Sequence, residues 1–335
     1  MSAETDLGRL TLVVPTYNRQ EFTLRLINYW SDKGPRLIVL DGSARPIKSK
    51  TLDGLGLHIQ YFHQPIGMYQ RLLESLNFIQ TEFVALAGDD EFYVPSAVEA
   101  CIVELDNDAA MVACCGRALG FTPKSQMLIG RTQYPLLEKY AVDSDLSEMR
   151  VSQHMRYYVP SLIYAICRTQ QWKASWKYIL SKEFPAFAIG ELQFEMCMSY
   201  AGKSKVISEL MWLRSNNENK PVHGTDPSLN PTKRFPHWWR NTENVIEYEE
   251  FISIMTKAFA ELKPNGSNDT RSVVIDGVEA YLDFVGERAN ARNMKSVLRN
   301  VAAKVIPESL KPHIKALLQG LCHSYKCLLI LGLNE

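Results

Sequence analysis

The sequence predicts a mixed α/β fold: a mostly parallel sheet sandwiched by helices, with a helical extension at the C-terminal end. Short β-branched apolar runs alternate with helically spaced segments through the first part of the chain, and several of these runs stop at polar turn signals. Beyond Trp239 the pattern changes to helix alone.

Leu10-Thr11-Leu12-Val13-Val14 reads as a strand ended by Pro15, and Phe22, Leu26, Ile27 and Trp30 then mark one face of a helix. Arg36-Leu37-Ile38-Val39-Leu40 is a second strand that stops at Asp41-Gly42-Ser43. Leu57-His58-Ile59-Gln60-Tyr61 alternates as a third, and Tyr69, Leu72, Leu73, Leu76 and Ile79 form a helix face leading to the buried run Phe83-Val84-Ala85-Leu86-Ala87. Pro95 opens a helix carried by Val98, Cys101, Ile102 and Leu105. A strand is expected from Ala109 to Cys115. The polar segment from Lys124 to Gln153 shows no readable period, and Tyr157 to Ile166 is apolar and aromatic. Trp172, Trp176 and Ile179 are helically spaced, a helix runs from Gly190-Glu191 through Met198, and a strand spans Lys205 to Leu213. The Asn-, Pro- and Gly-rich stretch from Asn216 to Pro236 reads as a connector or lid. Helices follow over Val245 to Leu262 and Ser272 to Arg288, then two shorter amphipathic pieces split by Pro307 and Pro312. The expected division is a polar N-terminus over 1–9, an α/β domain over 10–240 and a helical extension over 241–335.

The chain has 335 residues and equal numbers of basic and acidic side chains, 37 each, which argues against a general nucleic-acid binder. Seven cysteines lie scattered without CxxC spacing, so neither a disulfide framework nor a structural zinc site is expected. Met1 to Arg9 lacks the basic-then-apolar order of a signal peptide, and no apolar run reaches the length of a membrane span. A cytoplasmic protein is expected, with one reservation at its end. There Arg288, Arg292, Lys295, Arg299, Lys304, Lys311, Lys315 and Lys326 stand against a single acid, Glu308, with apolar residues between them. A basic amphipathic segment of this kind suits either the inner face of an anionic membrane or a packed, solvated helix pair.

Ligands on an open parallel sheet bind outside the carboxyl ends of its strands. Three such ends carry chemistry here: Pro15-Thr16-Tyr17-Asn18-Arg19, Asp41-Gly42-Ser43 and Gly88-Asp89-Asp90-Glu91. The last puts three carboxylates after a buried strand, and a hard cation takes oxygen ligands, commonly one or two carboxylates completed by waters and substrate phosphates. A turn that merely caps the next helix would need only one of them.

These residues resemble the GT-A glycosyltransferases, in particular the large inverting glycosyltransferase family 2. Leu12 to Arg19 is similar to its VVPTYNR opening and Val39 to Ser43 to its second strand, while the acidic tetrad falls where it keeps an Asp-X-Asp metal motif. The likeness covers roughly residues 10 to 215. It implies a sugar moved from a nucleotide-sugar donor, UDP-sugar favoured, to a glycan, lipid-linked or protein acceptor, with Mg²⁺ or Mn²⁺ as cofactor. Bacterial surface polysaccharide or glycoconjugate synthesis is the setting it implies. On that resemblance Asp90 is the direct metal ligand, with Glu91 and Asp89 holding the metal, its waters or the donor ribose, and Gly88 replaces the family's first aspartate. Pro15, Thr16 and Tyr17 lie along the base and ribose, Asp41 accepts from the base, and Arg71 and Arg19 help bind the nucleotide. His223 is a third metal ligand or a diphosphate contact.

An inverting transfer needs a carboxylate base at the acceptor hydroxyl. The resemblance puts it in a GED or ED motif at a helix start, the place taken here by Ile189-Gly190-Glu191-Leu192-Gln193-Phe194-Glu195 with Gly202 beyond. Glu191 is then the base and Glu195 the second candidate, with Leu192 in place of the aspartate. From the residues alone, Glu191 is equally a first-turn carboxylate facing a helix dipole. Phe235-Pro236-His237-Trp238-Trp239-Arg240 suits either a sugar-stacking surface or an anchor for the helical tail. Two alternatives stay open: a sugar nucleotidyltransferase, although its GxGxR loop is absent, and a non-catalytic glycan- or membrane-binding protein on a decayed transferase fold.

Overall fold

The computed structural model describes residues 6–52, 56, 58–124, 127–185, 187–216, 235–263, 266, 269–305 and 330–332; after 288 this covers backbone alone. His223 and the helical pieces expected around Pro307 and Pro312 lie outside the described residues. In chain order the elements are β1 (Leu10–Thr16), α1 (Gln20–Trp30), β2 (Arg36–Asp41), α2 (Ser49–Leu52), β3 (Ile59–His63), α3 (Met68–Ser75), β4 (Phe83–Leu86), β5 (Phe92–Tyr93) and α4 (Pro95–Asn107). There follow β6 (Met111–Lys124), β7 (Met127–Gln133), β8 (Ala141–Val142), α5 (Ser147–Arg156), β9 (Ile166–Arg168), α6 (Thr169–Ile179), α7 (Phe187–Ala201) and β10 (Lys203–Ser215). The last are α8 (Phe235–Arg240), α9 (Val245–Leu262), α10 (Thr270–Val305) and β11 (Ile330–Gly332).

The strands form one sheet in the order β11-β7-β6-β9-β4-β1-β2-β3, with β10 beside β6. β4, β1, β2 and β3 are parallel, so their carboxyl ends open on one edge. The buried runs Leu12-Val13-Val14 and Leu37 to Leu40 are continuous apolar stretches because helices cover both faces of that half. The later strands add the long parallel pair β6/β10 and the antiparallel hairpin β6/β7. β9 is inserted antiparallel between β4 and β6 and joins the two halves. The α/β class read from the sequence is therefore the observed one.

The unreadable segment contains β7, β8 and α5. Helix α5 hides its period because three of its buried side chains are polar: Ser147, Arg150, which donates to the carbonyls of Ser144, Ser199 and Tyr200, and His154, which is fully enclosed. α10 also runs on past Arg288 to Val305. The extension is not detached: Phe251, Ile252, Met255 and Phe259 of α9 and Val274, Val278 and Leu282 of α10 belong to the same core as the sheet. The aromatic cluster of α8 serves as an anchor, with Trp238 against Phe184 and Phe251 and its indole N–H donating to Glu247. Among the described residues no helix is long and apolar enough to cross a membrane.

Candidate functional site

The strand-end loops are built from their own polar groups. Thr16 and Asp41 are register partners, and the Gly42 N–H donates to the Thr16 carbonyl at 3.0 Å. Asn18 has φ 55°, a conformation asparagine tolerates better than most residues, and its N–H donates to Ser43 Oγ at 2.7 Å. Asp41 is fully buried. One carboxylate oxygen accepts from the Ser43 N–H at 2.8 Å and the other from the Tyr61 hydroxyl at 2.6 Å. Arg71 lies buried below, donating to the carbonyls of Thr16 at 3.0 Å, Ile66 at 3.2 Å and Leu40. A Cβ at position 42 would come within 2.6 Å of the Arg71 guanidinium carbon, so Gly42 is what lets that side chain pass.

Asp41 and Arg71, expected at the donor, are both buried here, where they brace the loops from beneath. Tyr17 is exposed, with the Pro15-Thr16 backbone beside it.

The acidic tetrad splits in two directions. Thr16 Oγ1 donates to Asp89 at 2.8 Å, and the Arg19 guanidinium spans Asp89 at 2.8 Å and Asp90 at 2.5 Å. Burial outweighs these partners and pushes the Asp89 carboxyl up to about 6. Asp90 keeps part of its carboxylate in solvent. Glu91 turns the other way, accepting from the Trp212 indole at 2.8 Å with Arg214 at 3.5 Å, and burial pushes it up to about 7. Its side chain folds over Gly88, where a Cβ would sit 3.1 Å from the Glu91 Cγ and Cδ. A side chain at position 88 would need Glu91 to shift by a few tenths of an ångström. Glu91, expected beside Asp90 at the metal, directs its carboxylate to Trp212 and Arg214 of β10.

Beyond Trp212 lies a cleft of about 1220 Å³. The β6/β7 hairpin, the 158–164 segment, the first two turns of α7, the end of β10 and residues 281–288 of α10 form its walls. Trp212 stacks on Tyr164 and Tyr134, with ring centroids 4.2 and 5.5 Å apart, so the acidic turn and the cleft share one wall. Glu191 lines this cleft and is partly exposed to it. Burial first, then the charges of Glu195 and Glu91, push its carboxyl up to about 7. Gly190 before it has a packing reason, since a Cβ there would lie 2.3 Å from the Tyr69 hydroxyl of α3.

Glu195, one turn further along α7, faces the interior and is fully buried. It accepts from the backbone N–H groups of Ile163 at 2.9 Å and Leu162 at 3.2 Å and from His154 Nε2 at 2.6 Å, while Tyr140 donates to His154 Nδ1. Expected as a second base, it is placed where it fixes the turn that carries Tyr164. Sequence reasoning missed the cleft residues Arg131, Tyr134, Tyr158, Tyr164 and Arg214. The aromatic run from Tyr157 was the one available signal, because the others face the cleft only through the β6/β7/β10 pairing.

A divalent cation meets a restricted donor set here. Among the described residues no group of three His, Cys, Asp or Glu side chains converges. Of the carboxylates in the acidic turn only Asp90 is partly solvated, and Arg19 already holds its Oδ2 at 2.5 Å, so a cation there would take at most one protein ligand and complete its shell with waters and phosphate oxygens.

No protein-family model matches the chain, and no curated protein matches it. Among solved structures, the crystal structure of S. aureus TarS 1-349 is similar at 13% identity over 84% of this chain and 91% of that one, with a TM-score of 0.44. Its structure in complex with UDP gives 12% identity, the same coverages and a TM-score of 0.47. Its complex with UDP-GlcNAc gives 14%, 84% and 92% coverage, and 0.44.

Proposed function

We propose that the protein is a glycosyltransferase that moves a sugar from a nucleotide-sugar donor, with inversion, to an acceptor bound in the cleft beside Glu191. The observation that supports this most is the position of Glu191: a partly exposed carboxylate on a rigid helix, raised to about 7 and lining an aromatic cleft that shares a wall with the acidic turn. A base of that strength is half deprotonated near neutral pH and can still take a proton from an attacking hydroxyl.

The donor lies on this reading over the carboxyl ends of β1, β2 and β4, with Tyr17 and the Pro15-Thr16 backbone along the nucleoside. Arg19 and Arg25 sit beside Asp90, Arg25 reaching its carbonyl at 3.4 Å. Both guanidinium groups can balance charge that develops on a departing diphosphate. Mg²⁺ or Mn²⁺, when held by Asp90, supplies further neutralisation of that diphosphate. Trp212 and Arg214 keep Glu91 clear of it and hold the wall between donor and acceptor sides. The wider setting inferred from the motifs is bacterial glycoconjugate synthesis on the cytoplasmic side of the membrane.

Nucleotide release from a panel of sugar nucleotides, with and without Mn²⁺ or Mg²⁺, tests the proposal. Release that requires Glu191 supports it. Pyrophosphate formed from a sugar phosphate and a nucleoside triphosphate would instead identify a nucleotidyltransferase, and binding without turnover a non-catalytic protein.

A further inference from the structure

We propose that the acceptor taken by this cleft carries an anionic group, a carboxylate or phosphate on a sugar, and that Arg131 and Arg288 hold that group. The inference rests on the transferase reading above and names the class of its second substrate.

The chain as a whole has no net charge, yet the cleft does not share that balance. Arg131, Arg214 and Arg288 line it against one carboxylate, Glu191. Arg214 is engaged with Glu91 and lies over the rings of Tyr134 and Trp212. Arg131 and Arg288 differ. They come from separate walls, β7 and α10, both are exposed, and neither has a carboxylate partner among the described residues. The Arg288 guanidinium lies over the Phe284 ring, 5.2 Å from its centroid.

Such a pair, facing a concave aromatic surface, concentrates positive potential where a ligand enters. The planar guanidinium fork matches two oxygens of a carboxylate or phosphate, and Tyr134, Tyr158 and Phe284 offer flat faces for sugar C–H surfaces. A neutral acceptor would use the rings and leave both arginines idle. The donor diphosphate is the other anion in such a reaction, but it belongs beside Arg19 and Asp90 at the strand ends, on the far side of the Trp212 wall.

The test is calorimetric titration of the full chain with 4-nitrophenyl β-glucuronide, glucose 6-phosphate, neutral 4-nitrophenyl β-glucoside and UDP. Wild type is compared with the Arg131→Gln/Arg288→Gln double variant. The expected result is that one of the anionic sugars binds at least about fivefold more tightly than the glucoside, the size of one or two partly solvated ion pairs. The double variant should lose that preference and keep its UDP affinity, and about 0.5 M salt should weaken the preference in wild type. Equal binding of all three sugars by wild type overturns the proposal. So does a preference that survives the double substitution, or a double variant that loses UDP instead. A protein that shows the preference but releases no nucleotide from any donor refutes the transferase reading while leaving the anion site standing, so the two failures are distinguishable.

Discussion

The strand-end loops and the cleft beyond Trp212 contain similar residue types under opposite constraints. In the loops, Asp41, Arg71 and Asp89 are buried and spend their polar atoms on neighbouring groups of the chain. In the cleft, Glu191, Arg131 and Arg288 stay open to solvent on rigid elements. A charged side chain that is buried and fully bonded shapes a surface, whereas one that is partly exposed on a helix or hairpin is available to a ligand. Glu191 and Glu195 make the same contrast within a single turn of α7.

The sharpest way to break that comparison is to neutralise Glu191. Glu191→Gln should lower nucleotide-sugar transfer by roughly 10²–10⁴-fold with unchanged circular dichroism; a variant within about threefold of wild type would remove Glu191 as the base. The wild-type rate should rise with pH through about 7, since the base must be ionised. Stability should follow the opposite sense. A carboxyl raised from 4.5 in the unfolded chain to about 7 in the folded one stabilises fully below 4.5 and loses that advantage as pH climbs through 7. Glu191→Gln should therefore be more stable than wild type above pH 7, by on the order of 1–3 kcal/mol in urea melts, and similar to it below pH 4.5.

Glu195→Ala probes the buried member of the pair. It strips the Leu162 and Ile163 N–H groups and His154 of their acceptor, so a loss of about 3 kcal/mol is expected by chemical denaturation. A loss below about 1 kcal/mol would show that the interior adapts, contrary to a bracing role. At the acidic turn, Asp90→Ala should abolish stimulation by Mn²⁺ or Mg²⁺, an effect of about tenfold or more on rate. Metal-stimulated turnover that persists in this variant would place the cation elsewhere. The smallest effect belongs to the shared wall: Trp212→Phe keeps the ring stack and removes one indole hydrogen bond to Glu91, worth about 1–2 kcal/mol of stability.

The parallel half of the fold was legible because its strands are covered on both faces and therefore read as unbroken apolar runs ended by turn residues. The second half was less so. Ser147–Arg156 buries an arginine and a histidine that find partners on α7 and β8-side neighbours, so no apolar stripe betrays the helix. The candidate site divides in the same way. Asp90, Arg19, Glu191, Asp41 and Arg71 could all be named from local motifs, but nothing local distinguishes the partly exposed Glu191 from the buried Asp41 and Arg71.

By itself the amino-acid sequence determined the alternation of strands and helices, the three polar strand ends and a helix carrying Gly190-Glu191, which begins at Phe187 rather than at the glycine. These are properties of short stretches: apolar runs, turn residues and spacing along one helix. The tertiary structure alone decided which carboxylates are free, that Glu91 covers Gly88 and reaches Trp212, and that two arginines from β7 and α10 face one cleft. Each of those outcomes depends on burial and on partners tens to more than a hundred residues away, as in the pairing of Glu91 with Trp212, and no local pattern encodes the partner of a charged side chain.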